Sequence, residues 1–147
     1  MIEFAFVVIL LVALVYGIVS VGISLAAKSS ITQAAEDGAR AGIVATGSSV
    51  ASSAQSQALG DLGWMVGTVT CASANISCQN SAGATCPLTS KLCVNAYTTS
   101  GSTTNLTVLV TYNYKQFPIF PTGPGLGILD PANIASSATL QVSTPTS

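Results

Sequence analysis

A chain of 147 residues with only 6% charged side chains, a formal net charge of −1 and no histidine lies far from the roughly 25% charge of a typical soluble domain. Its mean hydropathy is +0.62. This balance offers no basic patch for nucleic acid, and the missing histidine removes the commonest general base and the commonest metal ligand together.

Glu3 precedes a nearly continuous apolar run from Phe4 to Ala27, broken only by glycine and serine, and no basic residue occurs before Lys28. About 24 residues span roughly 36 Å as a helix, enough to cross a bilayer. A cleaved signal peptide needs a basic n-region, a short h-region and a small-residue cleavage site. Here nothing basic precedes the run, which is too long and continues into helix-compatible sequence at 28–36. The segment is therefore expected in the mature protein, with an ordinary single-span anchor as the plainest reading. Gly17 and Gly22 lie inside it, where glycine costs about 1 kcal/mol against alanine, which points to close packing or to a site able to unwind.

No proline occurs from Met1 to Leu59, and alanine recurs at helical spacing at positions 34, 35, 39, 41, 45, 51, 54 and 58. This predicts one long helix, kinked or broken near Thr46–Ser49, where helix propensity is poor. Two overlapping rows of small residues, Ala34/Gly38/Gly42 and Ala35/Ala39, would let another backbone approach closely. The alternative is an alanine-rich helix lying on its own domain. Glu36 and Asp37 stand near Arg40, and the i, i+4 spacing of Glu36 and Arg40 favours a surface ion pair over catalysis. Asp61 and Asp130 are isolated. With no nucleophile–base arrangement, phosphate loop or redox motif, neither an enzyme nor a cofactor is expected.

Beyond Gly60 the pattern turns to strands. Residues 67–72 are short and β-branched. Residues 105–114 form the strongest strand, with Leu106, Val108, Val110 and Tyr112 on one face and a mixed opposite face. Phe117–Pro131 is rich in proline and glycine and reads as an irregular loop with apolar tips at 119–120 and 126–129. Residues 134–142 alternate as a last strand before a polar tail, 143–147. Tyr97, Tyr112, Tyr114 and Trp64 read as core or helix–domain contacts. Asn75 and Asn105 each begin an N-glycosylation triplet, a short pattern that also arises by chance.

The four cysteines, Cys71, Cys78, Cys86 and Cys93, carry no CxxC pair. Four-thiolate zinc is thus the weaker reading, and two disulfides in an oxidising, extracytoplasmic compartment the stronger. Of the three possible pairings, a nested set is preferred: Cys71–Cys93 around Cys78–Cys86, tying a hairpin with arms at 68–72 and 92–97. The expected fold is α+β. A hydrophobic helix over 1–27 continues as an alanine-rich helix over 28–59 and leads to a small antiparallel β domain over 60–147, stapled by disulfides and packed on the helix because so small a core is marginal alone.

Glu3-Phe4 at the head of a long apolar helix, the segment ITQAAEDGARAG over 31–42 and the closing strand NIASSATLQV over 133–142 together resemble the TadE-like pilins of the tight-adherence (Tad) system, within the type IV pilin superfamily. The resemblance covers the helix and the final strand, and the cysteine segment little. The family's glutamate usually lies two positions deeper in the mature chain, so either residues precede Met1 or processing differs. Glu36 replaces an arginine common in the family. The Ser/Thr-rich, charge-poor composition is similar to that of archaeal pilins, which generally lack the acid, so Glu3 favours a bacterial source.

The resemblance implies assembly. A prepilin peptidase frees an α-amine, the helix waits in the inner membrane, and an assembly platform there extracts it into a helical homopolymer, an extracellular pilus used for adhesion. Out of lipid, the apolar run must bury against equivalent helices, at about 25 cal/mol per Å² of apolar surface, through heterologous, non-closing contacts. Phe4, Phe6, Leu10, Leu14, Gly17, Gly22, Ala34, Gly38 and Gly42 are the expected packing positions in the filament core. Glu3 is expected to pair with the amine of Met1 of an adjacent subunit. The alternative is a minor pilin, pseudopilin or membrane-anchored component that primes assembly, and more remotely a single-span receptor.

Overall fold

The computed structural model describes residues 2–67, 70, 71, 73, 75–87, 89–101, 103–119 and 133–142. Met1, residues 68, 69 and 72 of the strand expected at 67–72, the loop beyond Ile119 and the tail after Val142 lie outside the described residues, while Gly67, Thr70 and Cys71 are not in a strand.

Helix α1 (Ile2–Val44) takes in the whole apolar run and the first half of the alanine-rich segment. It stops where Thr46 turns extended and Gly47 adopts a φ of 65°, a left-handed conformation that glycine reaches without a Cβ clash. A 3₁₀ turn at Gly47–Ser49 then leads into α2 (Val50–Asp61) and the short α3 (Gly63–Val66). Gly42 lies against Val50 and Ala54, and Gly38 against Ala54 and Ala58, so α2 runs back antiparallel along α1. The break falls at Thr46–Ser49, as expected, but it is a reversal, so the expected continuation of one helix through residue 59 is corrected. Doubling back buries Ala54, Ala58, Leu59 and Leu62 against the small-residue stripe of α1, surface that a straight helix would leave in water.

The sheet has strands β1 (Ile76–Gln79), β2 (Leu92–Ser100), β3 (Thr104–Tyr112) and β4 (Ile134–Val142), in that spatial order. The β2–β3 and β3–β4 pairs are antiparallel, whereas β1 runs parallel to β2, with Ile76 opposite Leu92 and Gln79 opposite Asn95. The α+β class stands, with a mixed sheet in place of a wholly antiparallel one. Leu106, Val108, Val110 and Tyr112 are buried, as their alternation requires, and Val94 and Ala96 beside them complete the face turned to the helices.

Parallel pairing overturns the nested disulfides. A parallel partner must be reached by a crossover, so the chain from Asn80 to Lys91 runs back across the outer face of the sheet, where Asn95 Nδ2 donates to the Ser81 carbonyl at 2.9 Å. Cys86 on this return meets Cys93 at the start of β2, and Cys71 meets Cys78 on β1. The hairpin that would have set Cys71 beside Cys93 does not form. With all four sulfurs paired, no thiolate is left for the zinc alternative.

One core joins Ala27, Ile31, Ala34, Ala35 and Ala39 of α1 to α2 and to all four strands. The division at residue 59 is therefore not a packing boundary: the head is built on the second half of α1.

Candidate assembly surface

The two halves of α1 differ in what covers them. From Ala27 to Gly42 a stripe of small residues is fully buried. A Cβ added at Gly38 would stand 2.8 Å from the Ala54 carbonyl oxygen and 3.0 Å from the Ala58 Cβ, and one at Gly42 would collide with Leu106. Ala34, Gly38 and Gly42 thus pack inside their own chain, and their expected place in a filament core is corrected. The spacing signalled close packing but could not say whether the partner was a second copy or the chain's own α2.

The first half of α1 carries no such cover. Phe4, Phe6, Leu10 and Leu14 are exposed, Phe4 to 76%, and nothing approaches Gly17 or Gly22 within 4 Å. An 18-residue window of this helix has a mean hydropathy of 2.9 and none of it is buried. The result is a bare apolar rod projecting from a folded head. Its two serine hydroxyls are satisfied within the helix: Ser20 donates to the Tyr16 carbonyl at 2.9 Å and Ser24 to that of Ser20 at 3.0 Å, so neither needs water in an apolar medium. Glu3 stands in the first turn, where a carboxylate suits the positive end of the helix dipole. Lys28, the first basic side chain, is about 37 Å along the helix.

On the head, Arg40 pairs with Asp37 at 3.6 Å, not with Glu36, and both partners are exposed, as befits a surface pair of little energetic weight. Asn75 is exposed, whereas Asn105 is half-buried in β3 opposite Gln141. Tyr112 and Tyr114 are core residues, but Trp64 is 60% exposed, which corrects its expected place as a packing contact. Gln55 had no distinguishing signal in the sequence. It is buried, and its Nε2 donates to the Gln79 carbonyl at 2.8 Å, fastening α2 to the end of β1. Among the described residues no group of histidine, cysteine or carboxylate side chains is placed to hold a metal.

A small β-rich head is built on the upper half of a long helix, whose lower half is bare and, by length and composition, able to cross a membrane. Residues 1–40 match the family model of the TadE-like proteins. Over that segment the chain is similar to the TadE-like proteins. The match ends within α1, so it includes the bare rod and part of the buried stripe and leaves the sheet outside. No curated protein and no solved structure matches the chain.

Proposed function

We propose that this chain is a structural pilin, which polymerises through the first half of α1 into an extracellular Tad-type filament used for surface adhesion. The observation that carries the reading is the contrast along α1: a fully buried stripe from Ala27 to Gly42, and above 50% exposure at Phe4, Phe6, Leu10 and Leu14. Such a surface is incompatible with water and suits only lipid or other copies of itself. Held in the inner membrane first, it exchanges lipid for neighbouring helices on assembly, and the heads form the coat. The helix ends being offset along the fibre, each subunit offers a heterologous contact that does not close. The role is structural, without catalysis, and the partners are further copies, the prepilin peptidase and the assembly platform. Adhesion rests on the Tad resemblance alone.

Shearing filaments from the cell surface and identifying their main subunit by mass spectrometry tests this. The reading requires this chain as the bulk component. Fibres made of another subunit, with this chain left in the membrane fraction, would favour the priming role instead.

A further inference from the structure

The chain has four basic residues and a single tryptophan, and strand register with the course of the helices brings Lys28, Lys91, Lys115 and Trp64 to the same end of the head. The geometry follows from register. Leu92, Tyr112 and Ile134 form one row at the end of the sheet; Lys91 precedes the first of them, and Lys115 lies in the turn after the second. The other end of β3 is fixed to α1, because Leu106 lies against Gly42. From Leu106 to Tyr112 the strand covers about 20 Å, which along α1 is about thirteen residues and leads to the neighbourhood of Lys28. The helices agree. Gly42 faces Val50 and Ala54 while Gly38 faces Ala54 and Ala58, so each further turn down α1 meets a later turn of the returning chain, which carries α3 down towards the level of Lys28 to Ile31. Lys91 Nζ donates to the Met65 carbonyl at 3.4 Å, which ties Lys91 to the residue next to Trp64.

This is also the level at which the apolar run ends. The base of the head therefore carries an exposed indole, exposed Lys28 and Lys115 and half-buried Lys91 at the level where the bare rod leaves it. Among the described residues the only acid in the adjoining turns is Asp61, at the end of α2; Glu36 and Asp37 stand about two turns higher on α1. An indole at the edge of an apolar span and amines that reach phosphate are the chemistry of a membrane–water interface.

We propose that this base is a membrane-seating surface: while α1 is in the bilayer, Trp64 lies among the lipid headgroups and Lys28, Lys91 and Lys115 hold the head down on anionic phospholipid. This rests on the membrane-inserted stage of the proposed function. Charge complementarity and direct continuity with the apolar rod select a lipid surface over a protein partner. On assembly the seat must be given up, so these contacts oppose extraction.

The single tryptophan makes the test direct. The full-length chain is reconstituted in phosphatidylcholine vesicles with and without phosphatidylglycerol, and Trp64 emission is followed with lipids brominated near the carbonyl or near the chain terminus. The proposal expects blue-shifted emission and loss of fluorescence with the shallow label, not the deep one, strongest with phosphatidylglycerol. Neutralising one lysine, as in Lys91→Gln, should lower the seated-to-unseated ratio about fivefold. Chains that float with the vesicles but show water-exposed, unquenched Trp64 overturn the seating and leave membrane insertion intact. Failure to float overturns both. A blue shift that appears only in assembled filaments also overturns it and assigns Trp64 to a neighbouring subunit. Quenching that ignores both phosphatidylglycerol and the lysine substitution overturns the anionic seat.

Discussion

At the scale of single residues, three positions carry separable roles. In the proposed filament the Glu3 carboxylate is buried among apolar helices and needs a cation. The nearest is the α-amine of a neighbouring subunit, with an unperturbed pKa of about 8, since Lys28 is too far along its own helix. Glu3→Ala should leave the protein membrane-inserted while piliation, counted by electron microscopy, falls sharply; normal piliation would rule the pairing out. Gly38 acts within the chain. Leucine there must displace the Ala54 carbonyl and Ala58, so it should destabilise the head by about 1–3 kcal/mol in denaturant unfolding. Ser29→Leu and Gln33→Leu, on the exposed side of α1, should be nearly neutral.

Tyr112 belongs to the same scale. Its hydroxyl donates to the Phe117 carbonyl at 2.7 Å, and burial, helped by Tyr114, pushes its pKa from 10.0 up to about 12. The folded state then holds a proton that the unfolded chain gives up at lower pH. Stability from this group is complete below pH 10 and declines as pH rises towards about 12. Tyr112→Phe should cost about 1 kcal/mol at neutral pH for the lost hydrogen bond and flatten the alkaline loss. Melting temperatures across that range check the sign, and an unchanged alkaline slope in Tyr112→Phe would assign it to another group.

At the scale of elements, the two disulfides are local clips. Each joins cysteines 7 residues apart, so each constrains a short loop and contributes about 2–3 kcal/mol by the loop-entropy estimate. The nested pairing would have closed a longer loop. Cys86→Ser with Cys93→Ser should release the Asn80–Lys91 crossover from β2, giving a measurable fall in denaturant midpoint and faster amide exchange in β1, with β3 and β4 retained. Equal loss of protection in all four strands would contradict a local clip. Strands β3 and β4 were legible because they alternate strictly, and the apolar run because nothing else has that composition. β1 was not, since four residues carry too little period to register. The parallel pairing was also hidden: it depends on where the crossover lies, a non-local matter that cysteine spacing does not encode. The fold-back at Gly47 was visible only as weak propensity, which cannot separate a kink from a reversal.

At the scale of the whole molecule, the arrangement separates two tasks along one helix. The upper half of α1 belongs to the head, whose core is incomplete without Ala27, Ile31 and the small residues above them. The lower half is left uncovered by the head and, in the proposed function, is taken up by lipid or by other copies. The candidate site was therefore half legible: composition marked the bare rod, while the same small-residue signal occurred in the half that the head consumes. Helical reconstruction of sheared filaments by electron cryomicroscopy tests the central claim most directly. The account predicts α1 residues 4–25 packed on their equivalents around the fibre axis, with α2 and the sheet facing outward and Gly38 still against Ala58. A fibre whose axis is formed by the heads, or in which residues 4–25 remain exposed to solvent, would contradict it.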